Sequence, residues 1–390
     1  MNHLEVLAII PARGGSKGVP RKNVKPLAGL PLVAWSIRQS LACPLVCRTV
    51  VSTDDDEIAD TSRRHGAEVI RRPAALATDE APTEPALLHV LQHLEQAEGY
   101  RPDLVVLLQP TSPNRGPDLI GRCIAALRDQ NRDSLLTVVP TDRFFWREGQ
   151  EGALALYDYR HRPRRQDIRP EDRLWMENGS VYVTRREVLL SSGNRLGGVV
   201  GTVACDAFEA LEIDTPEDWE QCRQAMLAKG FGRSLLPSPV DCLVLDFDGV
   251  LTDNRVWTDS QGNELVTCTR ADGIGADLLR QAGIPVAILS TETNPVVKAR
   301  ADKLKLPCIQ GVRDKGEALR TFMDQQGLRP GNVVYVGNDV NDLPAFAQAG
   351  CTVAVADAHP VLRQKADVIL DVAGGCGVLR HLADLLQTNP

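Results

Sequence analysis

Short apolar runs of strand length alternate with amphipathic segments over most of the chain, and this alternation restricts the folds open to it. In the first half the apolar runs include Arg48–Thr53 and 104–109, and the segments 58–65 and 87–94 have the apolar spacing of helices. Helices that alternate with buried strands pack on both faces of a mostly parallel sheet. The pattern therefore predicts an α/β fold, whose ligands bind beyond the carboxyl ends of the strands.

The alternation lapses at residues 229–239, which are rich in Gly, Ser and Pro and are typical of a linker. A second α/β pattern begins at Cys242–Leu245. Its further apolar runs are Val286–Leu289, 333–336 and 352–355. A chain of 390 residues also exceeds what one hydrophobic core usually serves. We therefore predict two Rossmann-like domains, residues 1–228 and 240–390, joined by a linker over 229–239.

The composition argues against several classes of protein. A net charge of −7 disfavours a general nucleic-acid binder. No apolar stretch approaches the roughly 20 residues that span a bilayer, and the N-terminus lacks the pattern of a signal peptide. The ten cysteines are scattered, without a C-x-x-C pair or zinc-like spacing, which favours reduced thiols. We expect a cytoplasmic protein that binds neither nucleic acid nor membrane.

A glycine-rich, cationic loop at residues 11–23 directly follows the apolar run 6–10. Gly14, Gly15 and Gly18 allow the main chain to approach an anion closely, because no Cβ stands in the way. The basic side chains of the loop are Arg13, Lys17, Arg21 and Lys22. Their donors suit a triphosphate, although the spacing is not that of a Walker A loop. Taken alone, the loop fits a solvated surface turn equally well.

The whole string 11–23 resembles the N-terminal signature of the CMP-sialic acid synthetases, or acylneuraminate cytidylyltransferases. The resemblance implies a nucleotidyltransferase α/β domain whose loop binds the phosphates of CTP. It gives Arg13 and Lys17 catalytic roles and makes Lys22 and Asn23 substrate contacts. The implied reaction is attack by the C2 hydroxyl of a nonulosonic acid on the α-phosphorus of CTP, with release of pyrophosphate.

Further strings match substrate segments of the same family. Residues 69–79 resemble the segment that holds the cytosine base, which places Arg72 at the base. Gln109 ends a predicted strand at the position where the family contacts the sugar acid. By the same resemblance, Asn178 and Tyr182 fall on substrate positions. These roles are implied by the resemblance alone.

The run 162–167 is densely cationic. On its own it fits a solvated basic loop at least as well as a binding site. A sugar-acid carboxylate, however, requires a planar bidentate donor. The resemblance implies that Arg164 supplies that donor.

Glu212 and Asp214 stand two residues apart, so an extended backbone places both carboxylates on one face. Paired oxygen ligands suit Mg²⁺, which also takes phosphate oxygens from its substrate. The family usually has Asp at both positions, so Glu212 is a departure. The alternative is that both residues merely cap the helix predicted from Thr215 and Pro216.

In the second pattern, Asp246 and Asp248 follow a buried apolar run. Two carboxylates in such a place are costly unless a metal or a partner offsets their charge. The string 246–253 resembles motif I of the haloacid dehalogenase phosphatases, in which the first Asp is the nucleophile and the second the general acid/base. The resemblance extends to phosphate-binding and metal-binding motifs that contain Ser290, Thr291, Lys315 and residues 337–342. It implies Mg²⁺ held by Asp246, Asp248 and the last of these motifs.

The last motif has Asn338 where aspartate is common, so a metal ligand there is Asn338, Asp339 or Asp342. Over nearly its whole length the segment resembles the capless branch that acts on keto-deoxy sugar-acid phosphates. Members of that branch close their sites with neighbouring subunits, which implies a homotetramer. Glu292 and Lys303 match relatives that act on nine-carbon acid 9-phosphates, whereas members for the eight-carbon acid carry arginine in place of Glu292.

Together the resemblances imply a bifunctional enzyme, a CMP-nonulosonate synthetase fused to a nonulosonate 9-phosphate phosphatase. Two alternatives stay open. In the first, the second domain is a non-catalytic oligomerisation module. In the second, the substrates are an eight-carbon (KDO) or legionaminic-type acid. The sequence does not identify the nonulosonic acid or the general base for cytidylyl transfer.

Overall fold

The computed structural model describes residues 4–150, 152–169, 172–232 and 235–387. Within them, contacts between residues divide the chain into two units. Unit 1 contains residues 4–23 and 33–222, and unit 2 contains residues 24–32 and 223–387. The change from one unit to the other in the second half of the chain follows Cys222, within a helix.

The elements of the first part of the chain follow in order. The strands are β1 (Val6–Pro11), β2 (Pro26–Leu27), β3 (Leu30–Pro31), β4 (Arg48–Thr53), β5 (Glu68–Arg71), β6 (Leu104–Leu108), β7 (Ser134–Thr141), β8 (Trp146–Gly149), β9 (Gly152–Ala155), β10 (Leu174–Arg185) and β11 (Val200–Ala204). The helices are α1 (Leu32–Leu41), α2 (Asp56–Arg64), α3 (Glu84–Glu98), α4 (Leu119–Asp129), α5 (Arg186–Ser192) and α6 (Pro216–Ala228).

Unit 1 is built on a sheet with the strand order β11–β7–β10–β6–β1–β4–β5. β1 pairs in parallel with β4 and β6, whereas β10 runs antiparallel to β6 and β7. All residues of β6 are buried, as its unbroken apolar sequence predicts for a strand covered on both faces. Because β1 and β6 are adjacent and parallel, the residues that follow Pro11 and Leu108 emerge at the same edge.

The second part of the chain contains the remaining elements. The strands are β12 (Cys242–Leu245), β13 (Thr252–Thr258), β14 (Glu264–Cys268), β15 (Val286–Leu289), β16 (Cys308–Ile309), β17 (Val333–Gly337), β18 (Cys351–Ala354) and β19 (Val368–Ile369). The helices are α7 (Ala271–Gln281), α8 (Pro295–Leu304), α9 (Lys315–Gln326), α10 (Leu343–Phe346), α11 (Pro360–Arg363) and α12 (Val378–Gln387).

Unit 2 is built on an all-parallel sheet with the strand order β16–β15–β12–β17–β18–β19. The apolar strands β12, β15, β17 and β18 are buried along their whole length. Their carboxyl ends therefore present Asp246, Ser290 and Asn338 at one edge of the sheet. A short hairpin of β2 and β3 also belongs to this unit, and the amide of Ile369 donates to the carbonyl of Gly29 at 2.9 Å.

The α/β organisation predicted from the alternation of apolar runs is confirmed. The predicted strands Arg48–Thr53, Cys242–Leu245 and Val286–Leu289 have the observed bounds. The predicted helix 87–94 is longer than expected and extends over α3. Within the described ranges, no helix is long and apolar enough to cross a bilayer.

Candidate active sites

A cavity of about 350 Å³ opens in unit 1 where β1 and β6 end. It brings together most of the residues that the sequence assigned to CTP and to the sugar acid. Those on its wall are Arg13, Lys17, Lys22, Asn23, Arg72, Gln109 and Asp214, and the sequence analysis did not single out Ser16, Asp79 or Thr111, which also line it.

Hydrogen bonds hold the glycine-rich loop near its beginning and near its end. The Asn23 amide donates to the Arg13 carbonyl at 2.9 Å, and Lys22 Nζ donates to the Ile213 carbonyl at 2.9 Å. A Cβ on Gly18 would lie 1.9 Å from the carbonyl oxygen of Asp214, so only glycine fits there. The loop and the segment that contains Asp214 are therefore held against each other.

Two cations of the loop are already paired with a carboxylate. Arg13 Nη1 lies 2.7 Å from Asp79 Oδ1, and Lys17 Nζ lies 2.6 Å from Asp79 Oδ2. These contacts, that with Lys17 first, hold the pKa of the Asp79 carboxyl below its usual value. Asp79 therefore occupies the donors that the sequence assigned to a triphosphate.

Arg72 is held by main-chain oxygens at the other side of this cavity. Its Nη2 donates to the Ser52 carbonyl at 2.6 Å, and its Nη1 lies 3.4 Å from the Leu76 carbonyl. The buried Nε has no hydrogen-bond partner among the described residues. Burial lowers the pKa of the guanidinium. Arg72 is thus oriented by main-chain carbonyls, and these two hydrogen bonds leave N–H groups of its guanidinium unused on the wall of the cavity.

Gln109, Gly179 and Glu212 meet beside the cavity. Gly179 has φ +65°, and a Cβ there would lie 2.7 Å from Gln109 Oε1 and 3.2 Å from Glu212 Oε1. Thr111 Oγ1 also donates to Glu212 Oε1, at 3.3 Å. Because glycine has no Cβ, the Gln109 amide and the Glu212 carboxylate can both approach this position.

The carboxylates of Glu212 and Asp214 do not cap α6. That helix begins with a reciprocal cap in which Asp218 accepts the amide of Thr215 at 2.8 Å and Thr215 Oγ1 accepts the amide of Asp218 at 3.2 Å. The capping alternative is therefore wrong. Burial and the charge of Asp214 raise the pKa of Glu212 above its usual value.

Two carboxylates on either side of the buried Ile213 suit the chemistry of a magnesium site, and Lys22 Nζ, 3.6 Å from Asp214 Oδ1, is a cation that lies beside the pair in this structure. Within the described part of the chain, no group of three or more His, Cys, Asp or Glu residues is arranged to hold a metal. A metal here would therefore depend on phosphate oxygens to complete its coordination.

Asn178 and Tyr182, predicted as substrate contacts, do not line the cavity. Asn178 is 3% exposed, and its amide accepts from Thr137 Oγ1 at 2.6 Å and donates to the Glu209 carbonyl at 3.1 Å. Tyr182 is 2% exposed, and its hydroxyl donates to Glu177. In this structure both side chains hold the fold together instead of facing a ligand.

Arg164 is likewise not on the wall of the cavity. Its Nε lies 2.6 Å from Asp167 Oδ2 and its Nη2 lies 3.2 Å from Asp167 Oδ1, on an exposed segment. The structure therefore does not bring Arg164 to Gln109, and its role toward a sugar-acid carboxylate stays a prediction.

In unit 2, a buried lysine joins two carboxylates. Lys315 Nζ lies 2.6 Å from Asp246 Oδ2 and 2.6 Å from Asp342 Oδ1, and all three residues are at most 3% exposed. Burial and the nearby charge of Asp342 raise the pKa of Asp246 above its usual value. Asp246, which directly follows β12, thus has a cation beside it.

The Asp342 carboxylate accepts further hydrogen bonds besides its contact with Lys315. Its Oδ1 also accepts from Tyr335 Oη at 2.8 Å, and its Oδ2 accepts the amides of Asn338 at 2.8 Å and Asp339 at 3.2 Å. A fully buried carboxylate with these partners is not available as a metal ligand. Of the three residues left open by the sequence, Asn338 and Asp339 remain.

Asn338 lies against motif I. A Cβ on Gly249, which has φ +72°, would lie 1.8 Å from Asn338 Nδ2. The Asn338 amide is thus packed beside the turn that carries Asp248, whereas Asp339 Oδ1 accepts the amide of Val340 at 2.7 Å. Two carboxylates and an amide oxygen suit Mg²⁺, and Asn338 lies beside the turn that carries Asp248, whereas one oxygen of Asp339 is engaged by the main chain.

The second motif of unit 2 follows β15, the parallel neighbour of β12, at the sheet edge that carries Asp246. Ser290, 1% exposed, accepts the amide of Glu292 through Oγ at 3.0 Å, and Thr291 beside it is exposed. Glu292 Oε1 accepts the amides of Thr293 at 2.6 Å and Asn294 at 2.8 Å.

Burial and the charge of Glu292 raise the pKa of Asp248. A carboxyl group that keeps its proton more readily suits a general acid. Lys303 is exposed in the last turn of α8, at the opposite end of that helix from the Glu292 loop. The structure therefore does not bring Lys303 and Glu292 together within one chain.

A family model described as cytidylyltransferase matches residues 7–225, and one described as haloacid dehalogenase-like hydrolase matches residues 308–382. The chain belongs to the cytidylyltransferase family. Its C-terminal part belongs to the haloacid dehalogenase-like hydrolases. The two families expected from the sequence are thereby confirmed, whereas the roles of individual residues stay predictions.

Curated relatives follow the same division. N-acylneuraminate cytidylyltransferase A of Danio rerio is 31% identical over 389 residues, covering 97% of this chain and 88% of the relative. The 3-deoxy-D-manno-octulosonate 8-phosphate phosphatase KdsC of Salmonella typhi is 37% identical over 145 residues, covering 37% of this chain and 77% of the relative. Among solved structures, the phosphatase of that name from Yersinia pestis is 36% identical, covers 38% of this chain and 80% of that chain, and has a TM-score of 0.37.

Proposed function

We propose that the protein is bifunctional. Residues 1–228 transfer CMP from CTP to the C2 hydroxyl of a nonulosonic, sialic-type acid, and residues 240–390 remove phosphate from a nonulosonate 9-phosphate. One observation supports the proposal most: Arg13, Lys17 and Lys22 line one cavity of unit 1 together with Gln109, while Asp246 and Lys315 form a buried pair in unit 2.

In the transferase reaction the C2 hydroxyl attacks the α-phosphorus of CTP, and the bond to pyrophosphate breaks. Positioning and neutralisation of charge dominate such a transfer. Arg13, Lys17 and Lys22 hold phosphate oxygens, Asn23 fixes the loop, and Arg72 contacts the cytosine base. Gln109 orients the sugar acid from the end of β6.

Mg²⁺ would be held by Glu212 and Asp214 in the transferase site, and by Asp246, Asp248 and Asn338 in the phosphatase site. When bound, it supplies positive charge that offsets the phosphate oxygens of the substrate.

In the phosphatase reaction the Asp246 carboxylate attacks phosphorus, and the bond between phosphorus and the sugar oxygen breaks. Asp248 gives its proton to the departing alkoxide and then takes a proton from the water that hydrolyses the aspartyl-phosphate. Lys315 and Ser290 bind phosphoryl oxygens, with Thr291 beside them. The contact of Lys315 with Asp246 favours the ionised nucleophile and so opposes burial and the charge of Asp342, which raise its pKa.

The substrate class rests on two supports. The Danio rerio relative is an N-acylneuraminate cytidylyltransferase, which points to a nine-carbon acid for the transferase. In unit 2, Glu292 replaces the arginine of the eight-carbon branch, and both of its main-chain contacts use Oε1. We propose that Oε2 accepts from a substrate hydroxyl, and that Lys303 and Arg164 bind acid groups of the respective substrates.

We further propose that copies associate as a homotetramer through the phosphatase domain. The β13–β14 hairpin supports this, because Trp257 is 69% exposed and Leu265 is 68% exposed. A cytoplasmic location is proposed because all ten cysteines are free, as is usual in a reducing compartment.

The two rival interpretations make different predictions for one assay. The purified protein is incubated with CTP, Mg²⁺ and a panel of eight-carbon, nine-carbon and diamino nine-carbon acids, and CMP-sugar is measured. Phosphate release from the corresponding phosphates is measured in parallel. We expect both activities on a nine-carbon acid. CMP transfer without any phosphate release would support the scaffold alternative, and preference for the eight-carbon acid would overturn the substrate assignment.

A further inference from the structure

Arg115 is a fully buried arginine that lies just outside the cavity of unit 1. It is 1% exposed and follows the strand end at Gln109 by six residues. Desolvating a guanidinium is costly unless its donors are satisfied. A buried cation of this kind therefore needs an explanation.

Main-chain carbonyls and neutral side chains take the hydrogen bonds of Arg115. Its Nη2 donates to the carbonyl of Gln109 at 2.6 Å and to that of Ser180 at 2.8 Å, and its Nε donates to Ser180 at 3.2 Å. Its Nη1 donates to Ser36 Oγ at 2.9 Å and to Gln39 Oε1 at 3.0 Å. All five N–H groups of the guanidinium are thus used.

These partners lie on three elements, namely α1, the end of β6 and the middle of β10. Gln39 is itself oriented, because its Nε2 donates to the carbonyl of Pro113 at 2.7 Å. The guanidinium therefore links the main chain at Gln109 and at Ser180 to helix α1.

The two joined segments are those that meet at the cavity. Gln109 Oε1 lies 2.7 Å from the position a Gly179 Cβ would take, and Gly179 directly precedes Ser180. Gln109 lines the cavity, and Glu212 approaches the same glycine. The pairing of β6 with β10 reaches Leu108 and Val181, and Arg115 ties together the adjoining residues Gln109 and Ser180, next to the point where the Gln109 amide meets Gly179.

We propose that Arg115 is a positioning residue for the transferase, which sets the Gln109 amide for the sugar acid by pinning the carbonyls of Gln109 and Ser180. This inference rests on the proposed transferase function. Lysine does not replace arginine here, because it offers three donors at one point instead of a planar fork.

The test compares Arg115→Lys with the matched control Arg122→Lys, whose guanidinium on α4 contacts Glu209 and is 43% exposed. We expect the KM for the sugar acid to rise about ten- to a hundredfold in Arg115→Lys, since displacement by roughly 1 Å has effects of that size. The Kd for CTP, measured by calorimetry without the sugar acid, is expected to stay within about twofold of the wild-type value because the loop cations are untouched.

A double-mutant cycle with Gln109→Ala separates positioning from a general structural role. If Arg115 acts through Gln109, Arg115→Lys raises the KM for the sugar acid no further in the Gln109→Ala background. Gln39→Met, which removes one acceptor and leaves Arg115 in place, provides the same cycle should Arg115→Lys not fold.

Three results would each overturn the inference without affecting the proposed function, provided that the wild-type protein transfers CMP. They are an unchanged KM for the sugar acid, an equal loss of CTP affinity, or additive effects in the cycle. Absence of transfer in the wild-type protein would instead refute the proposed function itself.

Discussion

Lys17 and Asp79 form an ion pair with 2.6 Å between Nζ and Oδ2, on the wall of the cavity proposed for CTP. Arg13 holds the other oxygen of the same carboxylate at 2.7 Å. The carboxylate thus occupies donors that a triphosphate requires. Binding of CTP therefore exchanges one anionic partner for another.

The first prediction follows from this exchange. Asp79→Asn frees Arg13 and Lys17, so the Kd for CTP should fall about two- to tenfold, the range expected for partly exposed ion pairs. Isothermal titration without the sugar acid measures it, and the gain should shrink as salt is added. Asp118→Asn, a surface change on another pair, is the control. Weaker CTP binding in Asp79→Asn would show that Asp79 assists the nucleotide instead.

A second prediction concerns the buried charges of unit 2, where two carboxylates share the single cation Lys315. Lys315→Met leaves both carboxylates uncompensated and should lower the free energy of unfolding by about 3–5 kcal/mol. Asp246→Asn removes one of the two negative charges and should leave stability unchanged or higher. Thermal unfolding of both variants at neutral pH measures the difference. Equal destabilisation by the two changes would contradict the charge argument.

A third prediction concerns Asn114, which is 0% exposed and has neither amide atom hydrogen-bonded to any described residue. Asn114→Leu keeps the approximate shape and removes the unsatisfied groups, so it should stabilise the protein by about 1–3 kcal/mol. Asn178→Leu is the matched control, because that buried amide is bonded to Thr137 and Glu209 and its loss should destabilise. Calorimetry compares the two variants. A lower melting temperature for Asn114→Leu would mean that an internal water satisfies the amide.

The fourth prediction concerns pH. Burial first, and the charge of Arg223 next, lower the pKa of His381 to about 4. Since its pKa in the unfolded chain is about 6.5, the unfolded state binds more protons in the window between these values. Stability should therefore fall as pH drops from 6.5 toward 4, with up to about 2 kcal/mol from this group between pH 7 and pH 5.

His381→Gln removes the titrating group and should flatten the decline in stability over that window. Unfolding by urea at several pH values compares the variant with the wild-type protein. The same slope in both proteins would remove His381 as a source of acid sensitivity.

Much of the transferase cavity could be predicted because strand ends are legible in the sequence. Arg13, Lys17 and Gln109 follow apolar runs of buried parallel strands, and such ends meet at one edge of a sheet. In unit 2 the same logic places Asp246, Ser290 and Asn338 together. The roles of these residues came from the family resemblances, whereas their proximity follows from their positions at the ends of parallel strands.

The rest depends on contacts between distant segments. The register of β10 against β7 shifts between Glu177 and Tyr182, which turns Asn178 inward, and no sequence pattern announced that shift. Asp79 was not foreseen as the partner of Lys17 because the two lie on separate loops. The sequence analysis did not single out Arg115, because its burial depends on the packing of α1, β6 and β10 around it.

Under the proposed function, one chain carries two independent active sites. The most direct test assays Asp246→Asn and Lys17→Ala for both CMP transfer to a nonulosonic acid and phosphate release from its 9-phosphate. We predict that Asp246→Asn abolishes phosphate release and keeps transfer within about twofold of wild type, while Lys17→Ala loses transfer by orders of magnitude and keeps phosphate release. Loss of both activities in either variant, or no phosphate release by the wild-type protein, would contradict the account.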